Sequence, residues 1–411
     1  MVKGDRIVGL DIGTTKICAI VAEIEDTGQL KITGVGSSPS DGLKRGVVVN
    51  VEKTVQSIKR AVEEAERMSD ARIGAVYAGI AGDHIRSLNC RGVIAVSGPE
   101  NEITAHDEAR VIETAKAVSI PMDREIIHVL PQSFVVDDQP GVKDPIGMSG
   151  VRLEADVHIV TGAVTSAQNI CKSIRRAGVE VVDLVLEPLA SSYAVLSPEE
   201  EEMGVVLVDV GGGTTDVAVF YDGSIRHTAV VGLGGENVTH DVSIGLRTPL
   251  NQAESIKRDY GCALRSLVEK EETIEVPGLA GRPSYQVPRF ELSSIIEARM
   301  EEIFSLVHRE LRRTDYADLL AAGVVITGGG AMLEGTVELA EQVFGMPTSL
   351  GIPKGVTGLA DSVNQPIYAT GVGLVMFGMH HRHRKGAIGG NGDDFFESIL
   401  GRMKSWVKDF F

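Results

Sequence analysis

The sequence predicts an α/β protein made of two similar halves, each built on a mixed sheet, with a cleft between them. Uninterrupted apolar segments such as 205–208 are typical of strands that are buried on both faces beneath helices. Two such strands end in the same pattern of an aspartate, glycines and threonines, at 11–16 and at 209–216, before a second strand begins. A repeated strand–turn–strand unit of this kind indicates a duplicated fold.

Length, composition and charge limit the possible classes of protein. A chain of 411 residues, of which 43% are hydrophobic, is long enough for two or more globular domains. A net charge of −17 argues against a nucleic-acid partner, which needs a basic surface. The 4 cysteines have neither metal-ligand nor redox spacing, so reduced thiols in a cytosol are expected. The sequence also predicts no signal peptide and no membrane-spanning helix.

Three glycine-rich turns follow apolar strands: DIGTTK at 11–16, DVGGGTTD at 209–216 and TGGGAM at 327–332. Glycine lets backbone N–H groups approach an anion closely, and the threonine hydroxyls add further donors. Lys16 supplies a point charge suited to phosphate. Asp11 and Asp209 can orient a hydrated Mg²⁺ ion. Two opposed hairpins could therefore hold the phosphates of one nucleotide; the alternative for any single turn is a β-turn without a ligand.

The third turn, which lacks large side chains, can pass close to the nucleoside. The predicted binding residues of the three turns are Asp11, Gly13, Thr14, Thr15, Lys16, Asp209, Gly211, Gly212, Gly213, Thr214, Thr215, Gly328, Gly329 and Gly330.

Between the first two turns, residues 51–69 have the apolar spacing of an amphipathic helix. The pattern changes after residue 84 to hairpins around one helix over 104–118. Thr104 is the predicted N-cap of this helix, and Asp107 stands at its third position, as in a capping box. We expect a compact inserted subdomain at 85–162.

Two helices of small residues are predicted at 187–196 and 366–379, and they could pack against each other between the halves. The acidic segment 198–203 is predicted to be a loop before the central strand.

Further elements follow the second turn. The sequence GLGGEN, at 232–237, opens a helix that ends near residue 246. The next helix, at 252–260, places Glu254 and Lys257 one turn apart on the same face. A long helix is predicted over 291–313.

Together these motifs resemble the actin/Hsp70/sugar-kinase superfamily, with its two phosphate motifs, its adenosine motif and its two connecting helices. Within that superfamily the sequence is similar to the FtsA family of bacterial cell-division proteins over nearly the whole chain. The segments that carry this resemblance are LDIGTTK, VLPQSFVVD, GMSGVRLEADVHIVT, EPLASSYAVL, DVGGGTTDVAVF, AESIKRDYGCA and VITGGGAMLEG.

The resemblance implies an actin-like, ribonuclease H-like fold that binds ATP or ADP with Mg²⁺ in an interdomain cleft. It implies slow ATP hydrolysis at most, and the sequence isolates no catalytic group. The residues that it places on the adenosine side are Gly234, Gly235, Asn237, Glu254 and Lys257. The expected domains are 1A (1–84, 163–196 and 361–379), an FtsA-type insert 1C (85–162), 2A (197–247 and 313–360), 2B (248–312), and a flexible linker (380–394).

The last residues, 395–411, predict an amphipathic helix at about 100° per residue. Its apolar face contains Phe395, Phe396, Ile399, Leu400, Met403, Trp406, Val407, Phe410 and Phe411. After a glycine-rich linker, such a face favours a reversible anchor at a membrane surface, and docking on the protein's own surface is the alternative. Because one short helix binds weakly, self-assembly would strengthen attachment through avidity.

The resemblance further implies a self-assembling adaptor that tethers the tubulin-like FtsZ to the cytoplasmic face of the inner membrane at the division site. Such a peripheral protein also helps to recruit later division proteins. In that family the FtsZ C-terminal tail docks on subdomain 2B, where Arg299 and Glu302 are candidates here; an ordinary solvated helix face is the alternative. Other functions within the superfamily are a sugar-kinase-like phosphotransferase, a pilus-assembly ATPase and a chaperone ATPase.

Overall fold

A computed structural model describes residues 6–385, so the predicted membrane-anchoring segment 395–411 and most of the predicted linker lie outside the described residues. Within that range the helices are α1 (Val51–Ser69), α2 (Ala105–Lys116), α3 (Val164–Arg176), α4 (Glu187–Val195), α5 (Pro198–Met203), α6 (Gly235–Gly245), α7 (Leu250–Tyr260), α8 (Arg289–Leu311), α9 (Thr336–Phe344), α10 (Ala360–Val363) and α11 (Ala369–Lys385). None of these described helices is long and apolar enough to cross a bilayer.

Two sheets of matching topology confirm the predicted duplication. The strands of the first sheet are β1 (Arg6–Ile12), β2 (Lys16–Ile24), β3 (Leu30–Pro39), β6 (Ala75–Ile80), β11 (Glu180–Leu186) and β19 (Val356–Gly358). Those of the second sheet are β12 (Val205–Val210), β13 (Thr215–Tyr221), β14 (Ser224–Val231), β17 (Gly323–Thr327) and β18 (Thr348–Leu350).

Each sheet begins with an antiparallel meander, β1–β2–β3 or β12–β13–β14, that continues on the side of its first strand into parallel strands. These parallel strands are β6 and β11 in the first half, and β17 and β18 in the second. Because both halves repeat one topology, their first two turns occupy equivalent positions.

In each hairpin the strand pairing continues up to the turn, so the turn is short. Asp11 pairs with Cys18 across β1 and β2, and Asp209 pairs with Asp216 across β12 and β13. Every residue of β12 is buried, as its uninterrupted apolar sequence predicts. Each aspartate therefore stands at the end of a buried strand, beside the turn that follows.

Helices α4 and α11 cross between the halves, as their small residues predict. A Cβ built on Gly373 of α11 would lie 1.8 Å from the Ala190 carbonyl oxygen of α4. A Cβ on Gly9 of β1 would lie 2.7 Å from the Gly371 oxygen. Only glycine permits these backbone contacts, so α11 lies directly on both α4 and β1.

Two predicted boundaries are wrong. Residues 198–203 form helix α5 instead of a loop, because Ser197 and Glu200 build a capping box and Pro198 occupies the first turn. Helix α11 continues to Lys385, so 380–385 do not belong to a flexible linker. The ring of His381 stacks on Phe377 at 3.9 Å between centroids, which stabilises the additional turns.

The remaining strands are β4 (Leu43–Lys44), β5 (Val47–Val48), β7 (Arg86–Ala95), β8 (Arg124–Val136), β9 (Gln139–Val142), β10 (Arg152–Ala163), β15 (Thr273–Val276) and β16 (Tyr285–Pro288). Strands β7 to β10 form an antiparallel sheet that packs against α2, and this unit is the inserted subdomain. The predicted capping box of α2 is confirmed, with Thr104 and Asp107 bonded to each other.

The inserted subdomain is fastened to the edge of the second sheet. Strand β14 is the edge strand there, and its carbonyl groups accept hydrogen bonds from side chains of β7 and β8. Gln132 Nε2 donates to the Ile225 oxygen at 2.8 Å, and Asn89 Nδ2 donates to the Arg226 oxygen at 3.1 Å. These bonds satisfy an edge that would otherwise be open to pairing with another chain.

We expect Gln132→Ala to lower the free energy of unfolding by about 1–2 kcal/mol, because the buried Ile225 carbonyl loses its donor. The measurement is urea unfolding followed by circular dichroism. Gln139→Ala, at an exposed position of β9, is the matched control and should leave the midpoint unchanged. Equal midpoints for both variants would show that the contact contributes nothing to stability.

Candidate functional site

The tips of the two equivalent hairpins touch across the cleft. A Cβ built on Gly213 would lie 2.7 Å from Thr14 Oγ1, and one on Gly212 would lie 2.7 Å from Thr15 Oγ1. Any side chain at either glycine would collide with the opposite hairpin. The close approach places the threonine hydroxyls and the glycine backbone of both predicted phosphate turns around one point.

The loop before α6 covers one side of the second hairpin. Gly235 N donates to the Gly211 oxygen at 2.9 Å, and Glu236 N donates to the Gly212 oxygen at 2.8 Å. A Cβ on Gly234 would lie 2.6 Å from the Gly211 oxygen, so this position also needs glycine. The structure thus brings the GLGGEN segment against the phosphate turn.

A buried lysine joins that loop to α7. Lys257 Nζ donates to Glu254 Oε2 at 2.7 Å, to Thr239 Oγ1 at 2.7 Å and to the Gly235 oxygen at 3.1 Å. The side chain of Asn237 accepts a hydrogen bond from Gly234 N at 3.0 Å. All five residues expected on the adenosine side therefore lie together, next to the second hairpin.

The third glycine-rich turn lies beside Asp209. Gly328 has a φ of +86°, and a Cβ there would lie 2.3 Å from Asp209 Oδ1. A Cβ on Gly330 would lie 2.4 Å from Val210 Cγ1. Gly328 and Gly330 therefore have no room for side chains. That this turn passes close to the nucleoside remains a prediction from the sequence.

Lys16 is held by the segment that precedes α11. Its Nζ donates to the Ile367 oxygen at 2.7 Å and lies 4.2 Å from the ring centroid of Tyr368. Burial raises the pKa of Asp11 and of Asp209, and the positive charge of Lys16 opposes both shifts. Lys16 is therefore a fixed cation at the side of the cleft.

Four carboxyl groups converge on the cleft, and burial raises the pKa of each. Burial, opposed by Lys16 and assisted by Asp209, raises the pKa of Asp11 to about 6. Burial and the neighbouring Asp209 raise the pKa of Asp216 to about 7. The pKa of Asp209 is also raised by burial, although hydrogen bonds from Ser191 and Thr370 oppose the shift.

Glu187 is the fourth member of this acidic cluster and was not expected from the sequence. Its pKa lies well above the usual value because of burial and the nearby charge of Asp11. The sequence does contain a signal for Glu187, because this residue directly follows strand β11. Asp11 and Asp209 likewise lie at the ends of strands β1 and β12. Parallel β1, β6 and β11 end at one edge of the sheet.

One oxygen of the acidic cluster has no partner. Asp216 Oδ2 accepts a hydrogen bond from Thr214 Oγ1 at 3.0 Å, whereas Oδ1 is buried without one. An unpaired buried acceptor is unfavourable, and water molecules around a cation would supply the missing donor. Within residues 6–385, no group of three or more His, Cys, Asp or Glu side chains is arranged to ligate a metal directly. The cluster therefore fits a hydrated cation.

The candidate partner residues lie elsewhere. Arg299 and Glu302 are on α8, where Arg299 forms an ion pair with Glu302 and donates to Asp241 Oδ2 of α6 at 2.5 Å. The structure does not bring them to the cleft. They form a charged surface that links two helices of the second half.

The raised pKa of Asp216 predicts a pH-dependent effect of Asp216→Asn on the ligand-free protein. Above pH 7 the folded state contains a buried charge that the unfolded state exposes to water, so this charge lowers stability. As the pH falls through about 7 toward 4, the folded carboxyl takes up a proton and this penalty disappears. We expect the variant to melt a few degrees higher than the unsubstituted protein near pH 8, and by a clearly smaller margin near pH 5.

Thermal unfolding by calorimetry at both pH values measures this difference. Glu180→Gln, at a largely exposed carboxylate, is the control for loss of one negative charge. A gain that is equal at both pH values would show that Asp216 has the same protonation in the folded and unfolded states at both, which would contradict a raised pKa.

Two family models match the chain. The model described as cell division protein FtsA matches residues 206–373, and the model of the SHS2 domain inserted in FtsA matches 82–161. The chain is 50% identical to cell division protein FtsA of Pseudomonas aeruginosa, covering 99% of each chain. It is 40% identical to the Escherichia coli protein of the same name, covering 98% of each.

Solved structures support the predicted actin-like fold. The PilM–PilN type IV pilus biogenesis complex matches with a TM-score of 0.67 at 17% identity, covering 91% of this chain and 98% of that one. MreB5 of Spiroplasma citri bound to ADP matches with a TM-score of 0.58 at 14% identity, covering 93% and 99%. These likenesses show the fold, and the sequence identities show the family. The chain belongs to the FtsA family of cell division proteins, as the resemblance of its motifs predicts.

Proposed function

We propose that this protein binds ATP, assembles with copies of itself and tethers FtsZ to the cytoplasmic face of the inner membrane during division. In this role it is a peripheral membrane protein that also helps to recruit later division proteins. The observation that carries the nucleotide part is the contact of two glycine hairpins beside a buried acidic cluster. The MreB5 structure of similar fold is described as bound to ADP, which supports a nucleotide at the equivalent place.

Each part of the cleft has a function in this proposal. Backbone N–H groups of both hairpins and the hydroxyl of Thr14 bind phosphate oxygens, whereas the Thr214 hydroxyl can do so only by releasing Asp216. The loop at Gly234 and the Glu254–Lys257 pair line the adenosine side. Asp11 and Asp209 hold Mg²⁺ through its water ligands. The nucleotide supplies a phosphoanhydride bond whose cleavage would change the assembly state.

Glu187 is the candidate for positioning a water molecule. A carboxylate can accept a proton from water only when it is ionised, and burial together with the nearby charge of Asp11 raises the pKa of Glu187, which makes the ionised form less available. We therefore expect slow hydrolysis, which suits a protein that uses nucleotide to control assembly.

Asp209→Asn should weaken ATP binding by about tenfold or more in the presence of Mg²⁺, because the hydrated cation loses one of its two carboxylates. Isothermal titration calorimetry with MgATP measures this affinity. With EDTA present, the affinities of the variant and the unsubstituted protein should become similar. The control is Asp70→Asn, at the exposed end of α1. Equal MgATP affinities in all three proteins would exclude Asp209 from the site.

The membrane part of the proposal is carried by sequence pattern. Residues 395–411, outside the described range, place their apolar side chains on one face at helical spacing. Helix α11 is described as far as Lys385, and in the sequence residues 386–394 lie between it and this segment. Many such segments on one filament would retain it at a membrane that a single segment binds only weakly.

The proposed docking place for the FtsZ C-terminal tail is the α8 surface. The Arg299 guanidinium is held in place by Asp241 and Glu302, and the Glu302 side chain is 51% exposed. A fixed charged group can bind a flexible tail without first losing its own conformational freedom. The inserted subdomain is the candidate surface for later division proteins, because it projects a separate sheet and helix.

The proposed tethering function can be tested by co-sedimentation of FtsZ with liposomes in the presence of four forms of the protein. The full chain should bring FtsZ down with liposomes of bacterial lipid. A chain that ends at residue 394 should still bind FtsZ in solution but leave it in the supernatant, because the lipid contact is lost. Arg299→Gln should sediment with liposomes but recruit much less FtsZ, whereas the control Arg309→Gln, at an exposed position of α8, should act as the unsubstituted protein.

The proposal would be contradicted if the shortened chain sedimented as well as the full one. Unchanged FtsZ recruitment by Arg299→Gln would move the docking place away from this surface without affecting the membrane result.

A further inference from the structure

A short hairpin, β4–β5, lies over the point where the two phosphate hairpins meet. Leu43 pairs with Val48 and Lys44 with Val47, which leaves Arg45 and Gly46 as the two residues of the turn. Both have positive φ, 49° and 74°. This is the backbone of a tight hairpin turn, in which Asn, Asp or Gly is usual and arginine is uncommon. The arginine therefore occupies a position that backbone preference alone would not select.

The turn contacts both halves of the cleft. Gly46 N donates to Thr14 Oγ1 of the first hairpin at 3.2 Å. A Cβ built on Gly213 of the second hairpin would lie 3.1 Å from Arg45 Cα. Backbone contacts on both sides fix where the arginine side chain begins.

The guanidinium group of Arg45 is only loosely held. Its side chain is 47% exposed, and the nearest carboxylate oxygen, Asp83 Oδ2, lies 3.7 Å from its Nη1. Exposed pairs at this distance contribute little to stability. Lys16, by contrast, is engaged by the Ile367 carbonyl. Arg45 is therefore a cation beside the cleft that can turn toward an anion at little cost.

The position of Arg45 along the second hairpin indicates which part of a nucleotide it meets. The oxygens of Gly211 and Gly212 bind the loop on the adenosine side, whereas Gly213 faces Arg45. The adenosine side and Arg45 are thus at opposite ends of the same turn. A nucleotide lying along that turn would present its last phosphate to Arg45.

We propose that Arg45 binds the terminal phosphate of ATP and thereby makes the chain distinguish ATP from ADP. This inference rests on the proposed nucleotide function. A guanidinium group presents paired donors that match two phosphate oxygens. On binding, the guanidinium exchanges its weak pairing with Asp83 for a phosphate contact, while the backbone of the β4–β5 turn stays in place.

The test compares affinities for MgATP and MgADP by isothermal titration calorimetry. Arg45→Asn removes the charge but retains a residue that tolerates positive φ. It should weaken ATP binding by about tenfold or more and ADP binding by about twofold or less. Arg45→Lys should restore part of the ATP affinity. The matched control is Arg60→Gln, which removes a similarly exposed arginine, 4.0 Å from Asp41, on α1.

Each result has a distinct meaning. If the unsubstituted protein binds neither nucleotide, the proposed function fails and this inference fails with it. If it binds both and Arg45→Asn has no effect, or weakens ATP and ADP equally, only the inference is overturned. Melting temperatures of the ligand-free variants that match the unsubstituted protein confirm that a selective loss of ATP affinity is not a folding defect.

Discussion

The structure depends on one close approach, in which two glycine hairpins from separate halves meet across a cleft. Thr14 and Thr15 stand where a Cβ on Gly213 or Gly212 would lie, so the contact exists only because those positions have no side chain. The same constraint recurs at the other end of the cleft, where Gly373 lets α11 lie on α4. Short threonine side chains pack directly on glycine backbone in the first contact, and backbone packs on backbone in the second, so neither contact depends on long, flexible side chains.

The acidic cluster shows that the ligand-free cleft is organised for binding at the expense of stability. Asp11, Asp209, Asp216 and Glu187 are like charges in a poorly solvated place, and the folded protein compensates by raising their pKa values. Replacing one of these carboxyl groups with a neutral side chain would make the ligand-free protein more stable. A bound cation would reverse this preference, because it stabilises the ionised form of each neighbouring carboxyl group. Functional sites commonly contain groups that lower the stability of the ligand-free protein but favour binding.

Local patterns in the sequence are sufficient for much of this fold. Both hairpins, α1, the capping box of α2 and the pair of small-residue helices follow from periodicity, caps and glycine placement. Contacts between distant segments are not predictable in this way. Glu187 reaches the cleft because β11 pairs with β6, and Arg45 because the turn between β4 and β5 packs against Thr14 and Gly213. The sequence did not predict α5, because its capping box lies within an acidic segment that was interpreted as a loop. It did not predict that α11 extends to Lys385, because the histidine-rich segment contains no clear signal for where the helix continues.

The inserted subdomain links the two halves through side-chain hydrogen bonds. The subdomain is inserted in the first half, between β6 and α3, yet its side chains bind the edge of β14 in the second half. If the halves rotate about the crossing of α4 and α11, the subdomain cannot stay fixed to both. It must either move with the second half or release the β14 carbonyls, which would then need new partners. A rotation that closed the cleft would break the hydrogen bonds of Gln132 and Asn89 unless the subdomain moved with the second half.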